Sequence, residues 1–384
     1  TAINCTIISN TASTSGGGLR NSTANNCIVW YNVAGADSNS YLGVLNYSCS
    51  PDLIHGVDGN ITNAPALVDQ PGGDYRLASG SPCIDTGTNG FVVGSTDLDG
   101  NPRILNGTVD MGAYEFIPKF DHYVALDGSH TAPYTNWAAA ATNIQAAVDA
   151  AAEGETVHIT NGTYLLTAEI SVTAGVLIQS VNGPEFTIVD GGGSSRCFNL
   201  GSNACVISGF SITNGSSGSG GGIYCSDSTP VVTHCTISGN TASWAGGMYG
   251  GTANNCTISG NVATGSGGGG GMRYGTANNC LFSGNAATLA GGGGGMGGGG
   301  GGLRDCTANN CTISGNTTAR DGGGMKNSIA NNCIVWNNTA GTGGDDISSG
   351  TQNHTSSPDA VNGVGGNITN SPAFVDKDLS LIHI

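Results

Sequence analysis

Asn254-Asn255-Cys256-Thr257-Ile258-Ser259-Gly260-Asn261 returns as Asn309-Asn310-Cys311-Thr312-Ile313-Ser314-Gly315-Asn316, with variants at His234-Cys235, Asn279-Cys280 and Asn332-Cys333. The spacing between copies is 21, 24, 31 and 22 residues. Each copy holds one short strand and a polar turn, too little to bury a core alone, so the copies must stack. Within the strand, alternation puts Cys256 and Ile258 on one face and Thr257 and Ser259 on the other. The rest of each copy, for example Thr264 to Gly271, is Gly and small polar residues with no 3.6-residue apolar period. That disfavours a helical solenoid and leaves a coil of short parallel strands. Equivalent positions of successive turns would then lie about 4.8 Å apart, giving an internal column of Cys and a hydrogen-bonded Asn ladder at a bend.

These repeats resemble right-handed parallel β-helices of the pectin-lyase-like superfamily, in its Gly- and Asn-rich bacterial surface-protein branch. Phe282-Ser283-Gly284-Asn285 with its Gly run is also similar to the repeats of chlamydial polymorphic outer-membrane proteins. The likeness covers most of residues 156–376 and 1–70. It implies an all-β, single-stranded solenoid in two tandem units, because Asn21 to Trp30 recurs 306 positions later as Asn327 to Trp336. A second resemblance rests on Ser81-Pro82-Cys83-Ile84-Asp85-Thr86-Gly87, Asp97-Leu98-Asp99-Gly100-Asn101-Pro102-Arg103 and Val109-Asp110-Met111-Gly112-Ala113-Tyr114-Glu115. This set is similar to the C-terminal part of secreted bacterial β-helix proteins of the choice-of-anchor type, and implies export to the extracellular space or the cell surface.

The expected organisation is therefore a first β-helix unit over 1–118, including the choice-of-anchor-like segment 74–116. A linker and capping helix follow over 119–155, then a second β-helix over 156–378. The helix is expected from Trp137 to Ala152, with Ile144, Val148 and Ala151 on its apolar side. From Val157 to Asp376 there is room for roughly nine turns at about 24 residues each. Residues 379–384 break the composition and resemble a translated sequencing adapter. With Thr1 falling inside a repeat, this reads as a piece of a longer gene.

Only 9% of the 384 residues are charged, with 10 basic against 26 acidic and a net charge of −16. Nucleic acid is excluded as a partner, since phosphate binding needs clustered Lys and Arg. No apolar run approaches the roughly 20 residues of a membrane span. The expected partner is an extracellular polysaccharide or a cell-surface or host glycan.

The 13 Cys recur mainly at one repeat phase, which reads as a buried thiol column. Cys49 and Cys83 lie off that phase and are the disulfide candidates. No cofactor is called for by any motif, except that Asp97, Asp99 and Asn101 alternate around Gly100 in a spacing that suits structural calcium or an Asx-bonded turn. The nearest approach to a catalytic set is Asp345, Asp346 and His354, although the matching stretch Ala36-Asp37-Ser38 keeps one carboxylate. Trp244, Tyr249 and Tyr274 fall in or beside Gly-rich turns and are the ligand-binding candidates, because flat rings on a β-wall stack on sugars. Trp30 and Trp336 point outward, where a neighbouring loop or a ligand would cover them. The resulting reading is an adhesin-like or glycan-binding stalk, more a binder than an enzyme. The alternative is a polysaccharide lyase or glycoside hydrolase, which would pair carboxylates across a sugar bond.

Overall fold

The computed structural model describes residues 1–201, 204–289 and 298–373, and the adapter-like residues 379–384 lie outside them. The chain separates into two compact units, Thr1–Pro118 and Lys119–Ile384.

In the second unit, strands Thr156–Ile159, Leu177–Ser180, Val206–Ser208, Val231–Thr233, Thr252–Asn254, Thr276–Asn278, Thr307–Asn309, Met325–Asn331 and Ile347–Asn353 pair in succession, all parallel. A second face runs in the same way from Gly162–Leu165 to Ile334–Trp336, and a third from Ile170–Val172 to Leu303–Arg304. Parallel pairing of each strand with its counterpart one repeat later makes this a β-helix, of the right-handed sense that parallel connections take. The alternation read from the sequence holds: Cys256 and Ile258 are buried while Thr257 and Ser259 are partly exposed. Inward residues of all three faces, from Val157 to Ile347, join one apolar cluster.

The repeat tetrads explain the bends. Asn255, Asn279, Asn310 and Asn332 adopt left-handed backbone at one corner, which Asn tolerates better than other side chains. The preceding Asn residues form the surface ladder, Asn278 to Asn254, Asn309 to Asn278, Asn331 to Asn309 and Asn353 to Asn331, each amide bond 2.8 Å long. A second ladder, buried, is built by the last residue of Ile-Ser-Gly-Asn. In it the amide nitrogens of Asn240, Asn261, Asn285 and Asn316 each donate to the Oδ1 of the next rung at 2.9–3.0 Å. The same nitrogens also donate to a carbonyl of the preceding coil, for example Asn261 to Ile237 at 2.9 Å. Each buried amide is thus satisfied from above and below, the condition for burying it. Gly271 lies so close to Asn285 and the Gly302 carbonyl, where a Cβ would meet 2.7–3.1 Å contacts, that no side chain fits there.

Cys235, Cys256, Cys280, Cys311 and Cys333 form the inner column as free thiols, with backbone N–H groups approaching the next sulfur at 3.4–3.5 Å. Elsewhere in the core, burial pushes the thiols of Cys197 and Cys306 up to about 12, so they stay neutral at physiological pH.

The helix is shorter than its sequence suggests, Ile144–Ala150. Asn143 caps it by accepting from the Ala146 N–H at 2.9 Å. The Ala138–Ala140 run before it is held instead by its carbonyls, which accept from Ser129, Thr131 and His130. Ile144, Ala147 and Val148 are buried against the first coils, which is the capping position.

The first unit repeats the same scheme in Ala2–Ile3, Thr23–Asn25 and Val44–Asn46, and in Thr6–Ile8 with Ile28–Trp30. Its residues beyond Asn63 leave the coil. They form an antiparallel hairpin, Leu67–Asp69 with Asp74–Leu77, and loops that lay Leu77, Cys83 and Met111 over Ile28 and Cys49. Cys49 and Cys83 are neighbouring free thiols there, not a disulfide.

Candidate functional site

The third face of the second unit is made of very short strands whose inward residue is apolar and whose outward residue is large. Ile223, Met248, Met272, Leu303 and Met325 are fully buried. Register then aligns their outward neighbours Asn199, Tyr224, Tyr249, Arg273, Arg304 and Lys326 in one row along the coils. Tyr224 and Tyr249 stack with centroids 5.2 Å apart and planes 15° apart, and Tyr274 meets Tyr249 edge-on at 5.5 Å. Trp244 belongs to strand Thr241–Trp244 of a neighbouring small sheet. The Arg273 guanidinium lies over both exposed rings, 5.3 Å from Trp244 and 4.3 Å from Tyr274. Stacking of this kind favours a planar guanidinium over an ammonium.

The three ligand-binding candidates are thus brought together, around a residue the sequence did not single out. Trp244 remains 41% and Tyr274 46% exposed, whereas Arg273 and Arg304 are each 7% exposed. Tyr249 is a strand residue rather than a turn residue, and burial raises its phenol pKa. Tyr274 occupies a left-handed bend, φ 56°, which the adjacent coils give to Gly250, Asp305 and Asn327. Tyr there costs about 1 kcal/mol relative to those residues, as it does at Tyr31 and Tyr47 of the first unit. Tyr224 was legible only by aligning Ile223-Tyr224-Cys225 with Met248-Tyr249, a register that the strand pairing supplies.

Every cation of the row, and Arg196 beside it, has a carboxylate. Arg196, which covers Tyr224 at 5.0 Å, pairs with Glu169 at 2.6 Å. Arg273 and Arg304 share Asp305 at 3.3 and 3.4 Å, and Lys326 pairs with Asp321 at 3.1 Å. Arg304 also donates to the carbonyls of Ser266 and Gly267 at 3.2 and 2.8 Å. Both belong to strand Val262–Gly268, which pairs with the Trp244 strand and passes so near the Trp244 ring and Arg273 that position 267 has no room for a Cβ.

Asp345, Asp346 and His354 are not brought together, since Asp346 and His354 flank opposite ends of strand Ile347–Asn353. Asp345 accepts from the Ala340 N–H at 2.9 Å, the bond that Ser38 makes to Ala34 in the first unit. Asp346 is 3% exposed and ends the buried ladder, accepting from the Asn338 N–H and amide at 2.9 and 2.7 Å. Burial pushes its pKa up to about 6, against those bonds. The first-unit match is therefore Ser38-Asn39 rather than Asp37-Ser38, because Asp37 falls on the same left-handed corner as Gly344.

Asp97, Asp99 and Asn101 sit in the loops of the first unit. Burial acts to raise the Asp97 pKa, yet bonds from Glu115, Asn101 and Asp99 hold it below the usual carboxylate value. The Asp97 oxygens accept from the N–H groups of Asp99, Asn101 and Glu115 at 2.7–2.9 Å and from the Asn101 amide at 3.2 Å. Asp99 faces Arg76 at 2.6 Å. This is the Asx-bonded turn, locked to the buried pair Arg103 and Glu115 at 3.6 Å. Among the described residues no group of three His, Cys, Asp or Glu is placed to hold a metal ion.

No protein-family profile and no curated protein matches the chain. Among solved structures it is similar to pectate lyase Pel9A, at 13% identity over 68% of this chain and 84% of that one, with a TM-score of 0.39. It is also similar to a pectin methylesterase from Aspergillus niger, at 14% identity over 68% and 93%, TM-score 0.33. A third is Escherichia coli YbhC, at 12% over 64% and 80%, TM-score 0.35.

Proposed function

We propose that this protein is a secreted or cell-surface, adhesin-like β-helix that binds glycans where the third face of its second unit meets the neighbouring small sheet, through Trp244 and Tyr274 with Tyr249 beside them. One observation carries the reading: two half-exposed aromatic rings are fixed around one buried guanidinium on a rigid coil wall. Rigid rings give sugar C–H faces a stacking surface at little entropic cost. The Asn face, a plain wall of Thr and laddered Asn, suits a stalk better than a cleft for chemistry.

Affinity electrophoresis of the folded protein through gels carrying a panel of extracellular polysaccharides tests this. Retardation by at least one of them, lost in Trp244→Ala and Tyr274→Ala, is the expected result. Release of reducing or unsaturated ends from a retained polysaccharide would replace the binding reading by a polysaccharide lyase or hydrolase.

A further inference from the structure

Resting on the glycan-binding reading, we infer that the Trp244–Tyr274 face takes uncharged sugar rings, and that Arg273 is a positioning residue that holds the two rings instead of meeting the ligand. Arg273, Arg304 and Lys326 of the row, with Arg196 beside it over Tyr224, make a basic cluster in an otherwise acidic chain, at first sight a site for an anionic glycan. The pairing argues otherwise. Glu169, Asp305 and Asp321 each take one or two of these cations, and backbone carbonyls take further donors of Arg196, Arg304 and Lys326. Arg273 spends its Nε on Asp305 at 3.3 Å and its Nη2 on the Tyr274 hydroxyl at 2.7 Å. What the face offers solvent is ring surface, while the remaining charge of the molecule repels anions.

Arg273, in contact with both rings, also ties them to each other, and Gly267 of the paired strand Val262–Gly268 closes on Trp244 from the next coil. A lysine would keep the charge and lose the plane. Tyr224 and Tyr249 turn their faces to each other and Arg196 covers Tyr224, so the open ring surface is that of Trp244 and Tyr274. An extended neutral chain spanning those two rings is therefore the class of ligand favoured.

Calorimetric titration of the whole chain with neutral β-1,4-linked hexaoses and with oligogalacturonates of equal length, at low and high salt, tests the inference. Tighter binding of a neutral hexaose, changed less than about twofold by salt, is expected. Trp244→Ala should weaken it roughly tenfold, the scale of one aromatic stacking contact. Arg273→Lys should weaken it by a similar factor with the far-ultraviolet circular dichroism and salt response unaltered, and should shift the Trp244 fluorescence, which a residue acting on bulk stability alone would not do. Tighter, steeply salt-dependent binding of the oligogalacturonate, retained in Arg273→Lys and lost in Arg273→Gln, would overturn the inference while leaving glycan binding in place. Failure of either class to bind the folded protein would remove the glycan reading with it.

Discussion

The two units end their coils with the same hydrogen bonds made by different residues. In the first, Asn32 donates to Asn39, whose own N–H and that of Ser40 reach Asp52 at 3.0 Å. In the second, Asn338 donates to Asp346, whose N–H and that of Ile347 reach Asp359 at 2.8 Å. Ser48 and Thr355 follow Cys27 and Cys333 in the inner column, and each donates its N–H to an Asn, Asn60 or Asn367, at 2.9 Å. A carboxyl standing where the sister unit has an amide is a rung of the ladder. Both paired acidic residues make backbone or ladder bonds of the coil, which comparison with the second copy reveals and a single copy would hide.

The units differ most in what covers the outward side of their equivalent strands. Ile28 in the first is fully buried under Met111 and Cys83, with Gly112 pressed against Ile28 and Thr6. Its counterpart Ile334 is only partly buried. The expectation that a loop covers the Trp30 position therefore holds in the first unit, where Trp30 packs on this cluster.

The severest break in the common scheme is Asn285→Ala, which removes four bonds from the middle of the buried ladder. It should cost about 4 kcal/mol, read as a lower denaturant midpoint. Met111→Ala strips the cover specific to the first unit and should cost about 3 kcal/mol there.

Asp346→Asn copies Asn39 into the second unit. The folded pKa of Asp346 is raised to about 6 from 3.8, so the native state holds its proton more tightly than the unfolded chain. Stability should fall as pH rises from about 4 to 6, by about 2–3 kcal/mol, and stay lower above. Asp346→Asn should raise the melting temperature at pH 7 and remove that part of the slope, and Asn39→Asp should introduce it in the first unit. Least disruptive is Cys311→Ser, since Ser48 already occupies that column in the first unit with its hydroxyl donating to Asn46 at 2.9 Å; a change within about 1 kcal/mol is expected.

Much of the coil was legible because a repeat with period-two alternation fixes both the inward residue and the neighbour it stacks on, as at Cys256 and Ile258. The helix was overread because Ala-rich composition favours helix locally, while Asn143 and the loop at Ser129 to Thr131 decide where the Ala run bonds. Trp244, Tyr249 and Tyr274 could be singled out as large rings among glycines. Their convergence on Arg273 could not be, since Trp244 and Arg273 lie on different sheets and meet only through the lateral register of unequal repeats. The same inequality displaced the Asp345–Asp346 match by one residue, an error that the left-handed corner at Asp37 and Gly344 corrects.

The central claim is that one face of the second unit binds sugar through Trp244. The most direct test labels the four tryptophans, Trp30, Trp137, Trp244 and Trp336, with fluorine and follows their resonances while a retained glycan is added. A shift of the Trp244 resonance, saturating with the glycan and sparing Trp30 and Trp336, is the predicted result. Saturable shifts at Trp137 or Trp336 with Trp244 unmoved would place the site elsewhere and contradict it.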